Sequence, residues 1–136
     1  MGKILAIDFG QRRIGLALSD DQQIFALPRP TLEVNRWQDA LVMIRQLCDE
    51  EKVERIIVGQ PVSLAGVQTK RNDLDAFVAA LRDASGRPIE TVDERLTSRQ
   101  AERELAGLPK RRAKGDIDRL SAVIILENYL ECNRGR

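Results

Sequence analysis

Histidine is absent from all 136 residues. That absence excludes imidazole-based triads, His general acid–base chemistry and His-ligated zinc. Any metal would have to sit on carboxylates, which favours hard cations such as Mg²⁺ or Mn²⁺. Cysteine is nearly absent too: Cys48 and Cys132 are the two, far apart and with no CxxC spacing. Each lies in an apolar periodic stretch, so both are expected to be buried free thiols of a reducing compartment. No run approaches the ~20 apolar residues of a membrane span. The N-terminal apolar run Ile4–Ile7 is too short for a signal peptide. The expectation is a cytoplasmic protein with no membrane partner. Aromatic residues make up only 4% of the chain.

What is present fits one compact domain over 1–136. Lysine and arginine number 22 against 21 aspartate and glutamate, a formal charge of +1. A balanced total does not exclude a polyanionic partner, because local patches decide that.

Ile4-Leu5-Ala6-Ile7 is apolar on both alternating faces, which predicts a central strand. Gly10 supplies the turn that follows. Ile14, Leu16 and Leu18 alternate with small residues in a second, antiparallel strand. Gln23 to Ala26 reads as a short third strand, with Pro28 and Pro30 marking an edge. Asn35 is a candidate cap for a helix carrying Trp37, Leu41, Ile44, Leu47 and Cys48 on one face. Arg55 to Val58 is a fourth strand ending at Gly59. Leu74, Phe77, Val78 and Leu81 repeat at helical spacing. Pro88 to Val92 is a fifth strand. Thr97 opens a further helix with a capping-box pattern, stopped by Gly107 and Pro109. Residues 110–115 form a basic loop, and a last helix runs from about Asp116 to Leu130, with Leu120, Val123, Ile124 and Tyr129 near its buried side. Three meander strands followed by α/β units predict an α/β fold of the RNase H-like order. It is a mixed five-stranded sheet, three strands antiparallel and two parallel, with helices on both faces.

Four segments carry the chemistry. In the first, Asp8 ends an apolar strand ahead of Phe9-Gly10-Gln11-Arg12-Arg13. A carboxylate there is costly to bury without compensation, and a bound cation would supply it. Capping of the turn, or pairing with Arg12 or Arg13, is the bland alternative. Gly10 and Gly15 match the start of a phosphate-binding P-loop, but Leu16-Ala17 stands where Lys and Ser/Thr are required. In the second segment, Asp93-Glu94-Arg95, two acids sit where a strand gives way to a helix. Strand alternation lets only one of them face Asp8; a surface pair with Arg95 is the alternative. In the third, Asp116 and Asp118 open the last helix, where acids also favour the macrodipole and Asp116 makes a good N-cap. The fourth is Lys110-Arg111-Arg112-Ala113-Lys114, to which Lys70-Arg71 adds. Such runs are commonly solvated loops, but this one abuts acids, and phosphate-binding cations beside metal-binding acids are what a phosphodiesterase requires. Carboxylates bridging two divalent ions can activate water and stabilise the leaving oxygen.

On DFGQRRIGLALSD, VGQP (58–61), VDERLTS (92–98) and KGDIDRLSAVIILENYL, the chain resembles the YqgF/RuvX family from Ile4 to Leu130. Members are described as Holliday-junction resolvases and as nucleases that process pre-16S rRNA ends. The resemblance implies an RNase H-like fold related to RuvC and a metal-dependent hydrolase acting on structured RNA or branched DNA. It carries the family's acidic triad to Asp8, Glu94 and Asp118, as catalytic and Mg²⁺- or Mn²⁺-binding residues. Arg12, Arg13, Lys70, Arg71, Arg95, Lys110, Arg111, Arg112 and Lys114 are the candidate nucleic-acid contacts. A junction resolvase would need a symmetric homodimer. Gln60 departs from the family's usual Leu, and Val62 to Gly66 lacks its Asn and Asp-Gly. The competing readings are a non-catalytic ribosome-maturation factor that binds nucleic acid, and an actin-like nucleotide-binding domain, for which the chain is short.

Overall fold

A computed structural model describes residues 2–60, 68–93 and 114–134. Its sheet has five strands in the order β3-β2-β1-β4-β5. They are β1 (Lys3–Asp8), β2 (Arg13–Ser19), β3 (Ala26–Glu33), β4 (Val53–Gln60) and β5 (Ile89–Asp93). The first three are antiparallel, and β4 and β5 run parallel to β1. The helices are α1 (Ala40–Glu51), α2 (Gln68–Ser85) and α3 (Lys114–Arg134).

Alternation along the strands sorts the core into two layers. Leu5, Ile7, Ile14, Leu16, Leu18, Ile56 and Val58 pack under Ile44 and Cys48 of α1 and Leu74, Phe77 and Leu81 of α2. Ile4, Ala6, Ala17 and Ile57 pack under Ala122, Ile125, Leu126 and Leu130 of α3. Because β1 is apolar at both parities, it can be covered on both faces, which is why it is central. The expected mixed sheet with helices on both faces is therefore what forms.

Several local expectations are corrected. The third strand is Ala26–Glu33, not Gln23 to Ala26. Gln23 sits at φ 58°, a left-handed conformation incompatible with a strand. Asp20 Oδ1 accepts the N–H groups of Ile24 (2.7 Å) and Phe25 (2.8 Å), folding 20–25 into a turn. Pro28 and Pro30 do lie at an edge, but inside the strand. They share one parity, and an edge strand tolerates proline where the missing N–H would face outward.

Asn35 does not cap α1; a short 3-10 turn, Trp37–Asp39, intervenes. The buried line of α1 is Ala40, Ile44 and Cys48, with Trp37, Leu41 and Leu47 partly buried beside it. The last helix starts at Lys114, so Lys114 is helical rather than part of a loop, and Asp116 lies inside the helix instead of capping it. Of its described side chains Ala122, Ile124, Ile125, Leu126 and Leu130 are buried, while Val123 and Tyr129 are only partly buried; the side chain of Leu120 lies outside the described ones. The helix expected after Thr97 lies outside the described residues. Among the described residues no helix is long and apolar enough to cross a membrane.

The cysteines differ from each other, against the expectation that both are buried: Cys48 is buried and Cys132 exposed. Burial pushes the Cys48 thiol up to about 11. The thiolate is the reactive species, so native protein at pH 8 should take up one equivalent of a thiol reagent, at Cys132, and a second only on unfolding. Labelling followed by mass spectrometry checks this; rapid labelling of Cys48 in native protein would contradict its burial.

The Asp20 turn predicts a pH dependence. The Phe25 N–H bond, followed by that of Ile24, holds the Asp20 carboxyl below its ordinary range. A depressed folded-state pKa stabilises above the unfolded value and is lost as pH falls through the folded one. Asp20→Asn is thus expected to be less stable than wild type at pH 7, with the difference closing in urea unfolding as the pH falls below the ordinary aspartate range and through the depressed pKa of Asp20.

Candidate active site at the carboxyl ends of the parallel strands

β1, β4 and β5 deliver their carboxyl ends to one side of the sheet, as parallel strands must. Asp8 is the last residue of β1 and is half-buried. In register it faces Gly15 of β2 on one side and Gly59 of β4 on the other. Gly59 in turn faces Val92 of β5. Residues opposite one another in a sheet share a face, so the carboxylate of Asp8 lies in a row whose two adjacent positions carry no side chain. By parity this is the face of Ile4 and Ala6, the one covered by α3.

The turn after Asp8 is constrained at four points. A Cβ on Gly10 would stand 2.3 Å from the Arg13 carbonyl oxygen, so only glycine fits. Phe9 packs its ring 4.5 Å from Phe77 and 6.4 Å from Trp37, centroid to centroid. The Arg12 carbonyl accepts the Val34 N–H at 2.8 Å. Gln11 Nε2 donates to Asp73 Oδ2 of α2 at 2.5 Å. Asp8 therefore leads into a segment tied to Val34 just past β3, to α2 and to the aromatic cluster rather than a loose loop.

Arg12 is exposed in that turn, and Arg13 opens β2, half-buried. Both stand beside Asp8 in the chain. Lys70 and Arg71 fall in the first turn of α2, just ahead of Asp73, which the Gln11 bond ties to the same turn. Lys114 and Asp118 fall in the first turns of α3. The direction of α3 follows from its far end: Tyr129 and Leu130 line a cavity with Ile4, at the start of β1. Positions 118 and 130 are separated by about 18 Å of helix, and Ile4 and Asp8 by about 13 Å of strand. α3 is therefore long enough for its amino end, with Asp118, to span to the Asp8 end of the sheet.

β5 alternates Ile89 into the α1/α2 layer and Val92 into the α3 layer. Val92 thus shares the face of Asp8, and the next position of that parity is 94. Glu94 itself lies outside the described residues, as do Arg95, Lys110, Arg111 and Arg112. Among the described residues no group of three or more Cys, Asp or Glu side chains is placed to hold a metal. Gln60 ends β4 opposite Asp93.

Sequence reading missed two features of this end. One is the pair of glycines flanking Asp8, which only strand register reveals. The other is Asp73, whose sole sequence signal is an acid early in an amphipathic helix.

Residues 2–132 match the RuvX family model, described as Holliday junction resolvase. A relative from Maridesulfovibrio salexigens bearing the name "Putative pre-16S rRNA nuclease" is 42% identical over 131 residues, covering 94% of this chain and 97% of its own. One of the same name from Bacteroides fragilis is 39% identical, covering 98% and 99%. Among solved structures, Thermus thermophilus RuvC in complex with a Holliday junction superposes with a TM-score of 0.66 at 15% identity, covering 99% of this chain and 97% of that one. The yeast mitochondrial Holliday junction resolvase Ydc2 gives 0.62 at 10% identity, covering 95% and 78%. These two likenesses establish a shared fold. With the family model spanning nearly the whole chain and full-length relatives at about two-fifths identity, the chain belongs to the RuvX family.

Proposed function

We propose that this protein is a metal-dependent nuclease that hydrolyses phosphodiester bonds, with the ends of pre-16S rRNA as its first substrate and branched DNA as its second. The observation that carries the reading is the row Gly15–Asp8–Gly59–Val92 at the carboxyl ends of the strands. The name shared by the curated relatives favours the RNA substrate, and the family description favours the junction.

Asp8, Glu94 and Asp118 are the residues that would hold a divalent cation. The donor set fits a hard ion: all oxygen, in a chain without histidine. Such an ion, when bound, supplies Lewis acidity towards a phosphate oxygen and acidifies water. The protein's own part is positional. Asp8 is held by a central strand, and the glycines beside it leave its row open to substrate. Glu94 follows β5 directly in the chain, and Asp118 belongs to the helix on that face of the sheet. Arg12 and Arg13, on the constrained turn, neutralise phosphates next to the scissile one. Lys70, Arg71, Arg95, Lys110, Arg111, Arg112 and Lys114 are the further candidate phosphate contacts. The reading includes a cytoplasmic protein and, for the junction substrate, a homodimer.

The test is a cleavage panel of pre-16S-type RNA and four-way DNA junctions with Mg²⁺ or Mn²⁺, alongside Asp8→Asn. EDTA should stop cleavage and leave binding in place. Binding without cleavage under every metal condition would overturn the nuclease in favour of a maturation factor.

The basic run makes a separate prediction. Neutralising Arg111 and Arg112 together should weaken binding across all sequences. It should also lower the slope of log K against log salt by about 1.4 to 1.8, the range between single strands and duplex for two phosphates. An unchanged slope would mean that the run is only solvated.

A further inference from the structure

A second concavity lies at the other end of β1, about 13 Å along the strand from Asp8. It has a volume of about 480 Å³, in the range of clefts that take small organic ligands. Its apolar side is Ile4 and Leu130, each 4% exposed, with Pro88. Its polar side is Arg55, Glu54 and Gln23. Tyr129, the only tyrosine in the chain, stands between the two.

The polar side is ordered by its own hydrogen bonds. Arg55 Nη1 donates to the Tyr129 hydroxyl at 2.7 Å, and that hydroxyl donates to Glu90 Oε2 at 3.1 Å. The phenol is held through both its accepting and donating functions, so its hydroxyl and the direction of its long axis are set before any ligand arrives. Gln23 Nε2 donates to the Gly2 carbonyl at 2.8 Å and also to Glu54 Oε1. These bonds hold Gln23 in its left-handed conformation, at φ 58°. A non-glycine residue kept there is strained, and such strain concentrates at binding sites.

The lining selects a chemistry. Glu54 in the lining, and Glu90 outside it at 4.0 Å from Arg55, offset the guanidinium charge, so the cleft does not suit a phosphate group. An aromatic ring anchored at its hydroxyl, an apolar floor and a mixed edge of guanidinium, amide and carboxylate suit a planar heterocycle with its own donors and acceptors. We infer that this cleft binds the base of an unpaired ribonucleotide, whether a free nucleotide or a residue of the RNA strand cut at the Asp8 end. The second source rests on the nuclease reading above; the pocket chemistry does not.

The test uses the full chain, with backbone-amide NMR as readout, and titrates AMP, GMP, CMP and UMP and a short single-stranded oligoribonucleotide. Saturable shifts are expected at Gln23, Arg55 and Tyr129. Tyr129→Ala should weaken binding at least tenfold, and Arg55→Ala, at a side chain 49% exposed, should weaken it without unfolding. Asp8→Asn should bind as wild type does while losing cleavage. Shifts with mononucleotides identify a nucleotide site, and shifts with the oligomer alone identify the RNA strand; both support the inference. No shift at these residues with any probe, or equal affinity in both pocket variants and wild type, overturns it. Loss of the cleavage reading would appear separately, as wild-type protein that binds at the cleft but does not cut.

Discussion

Asp8→Asn is expected to reduce phosphodiester cleavage by at least about 1000-fold, some 4 kcal/mol of transition-state stabilisation, while the protein still folds. Losing an outer-shell partner of a metal typically costs about 10–100-fold, and loss of a ligand carboxylate should exceed that. Asparagine keeps the size and one acceptor oxygen of aspartate but removes the charge that would draw a cation to the proposed site. Asp8 ends its strand half-buried and belongs to neither apolar cluster. The core beneath it therefore stays packed, and thermal unfolding should remain cooperative with a midpoint within a few degrees of wild type, about 1 kcal/mol or less. RNA affinity in EDTA should be unchanged. The measurements are single-turnover cleavage and calorimetry on the same preparation. Undiminished cleavage by pure Asp8→Asn protein would remove Asp8 from the site.

Phe77→Ala is expected to cost about 3–5 kcal/mol, as truncation of a buried phenylalanine does. Phe77 is completely buried in the larger of the two core layers. Its ring lies 4.5 Å from that of Phe9 and 5.8 Å from that of Trp37. Truncation loses the transfer free energy of the ring and leaves a cavity beneath both neighbours. Domains of this size have total stabilities of about 5–15 kcal/mol, so the variant should unfold at far lower urea. Phe9 directly follows Asp8, so cleavage should fall as well, even where the variant is still folded. Phe77→Leu, which refills most of the cavity, should recover most of both losses. A stability change under about 1 kcal/mol would mean that the aromatic cluster does not anchor the turn after Asp8.

The order of elements was legible because apolar periodicity is a local property. Ile4 to Ile7, apolar at both parities, announced a central strand. The spacing of Leu74, Phe77, Val78 and Leu81 announced the buried line of α2. The failures came where a side-chain bond or a distant contact overrides the pattern. Gln23 to Ala26 reads as a short strand, but Asp20 captures two of its backbone N–H groups and turns the chain. Asn35 suits a helix cap, yet the chain makes a 3-10 turn before α1. Cys132 sits in an apolar stretch but faces out of α3, since a long helix on one sheet face has only part of its circumference to bury.

The sequence by itself determined the class of chemistry that is open to this protein. Without histidine, carboxylates are the proposed ligands, and the motifs around Asp8, Glu94 and Asp118 single out the candidates. Only the tertiary structure decided what stands beside Asp8. Gly15 and Gly59 are distant from each other in the chain and become its neighbours through strand register, which long-range pairing sets. The same holds at the opposite end of β1, where Arg55 and Tyr129, 74 residues apart, meet across sheet and helix. Periodicity specifies which side of an element is buried; packing specifies what that side meets.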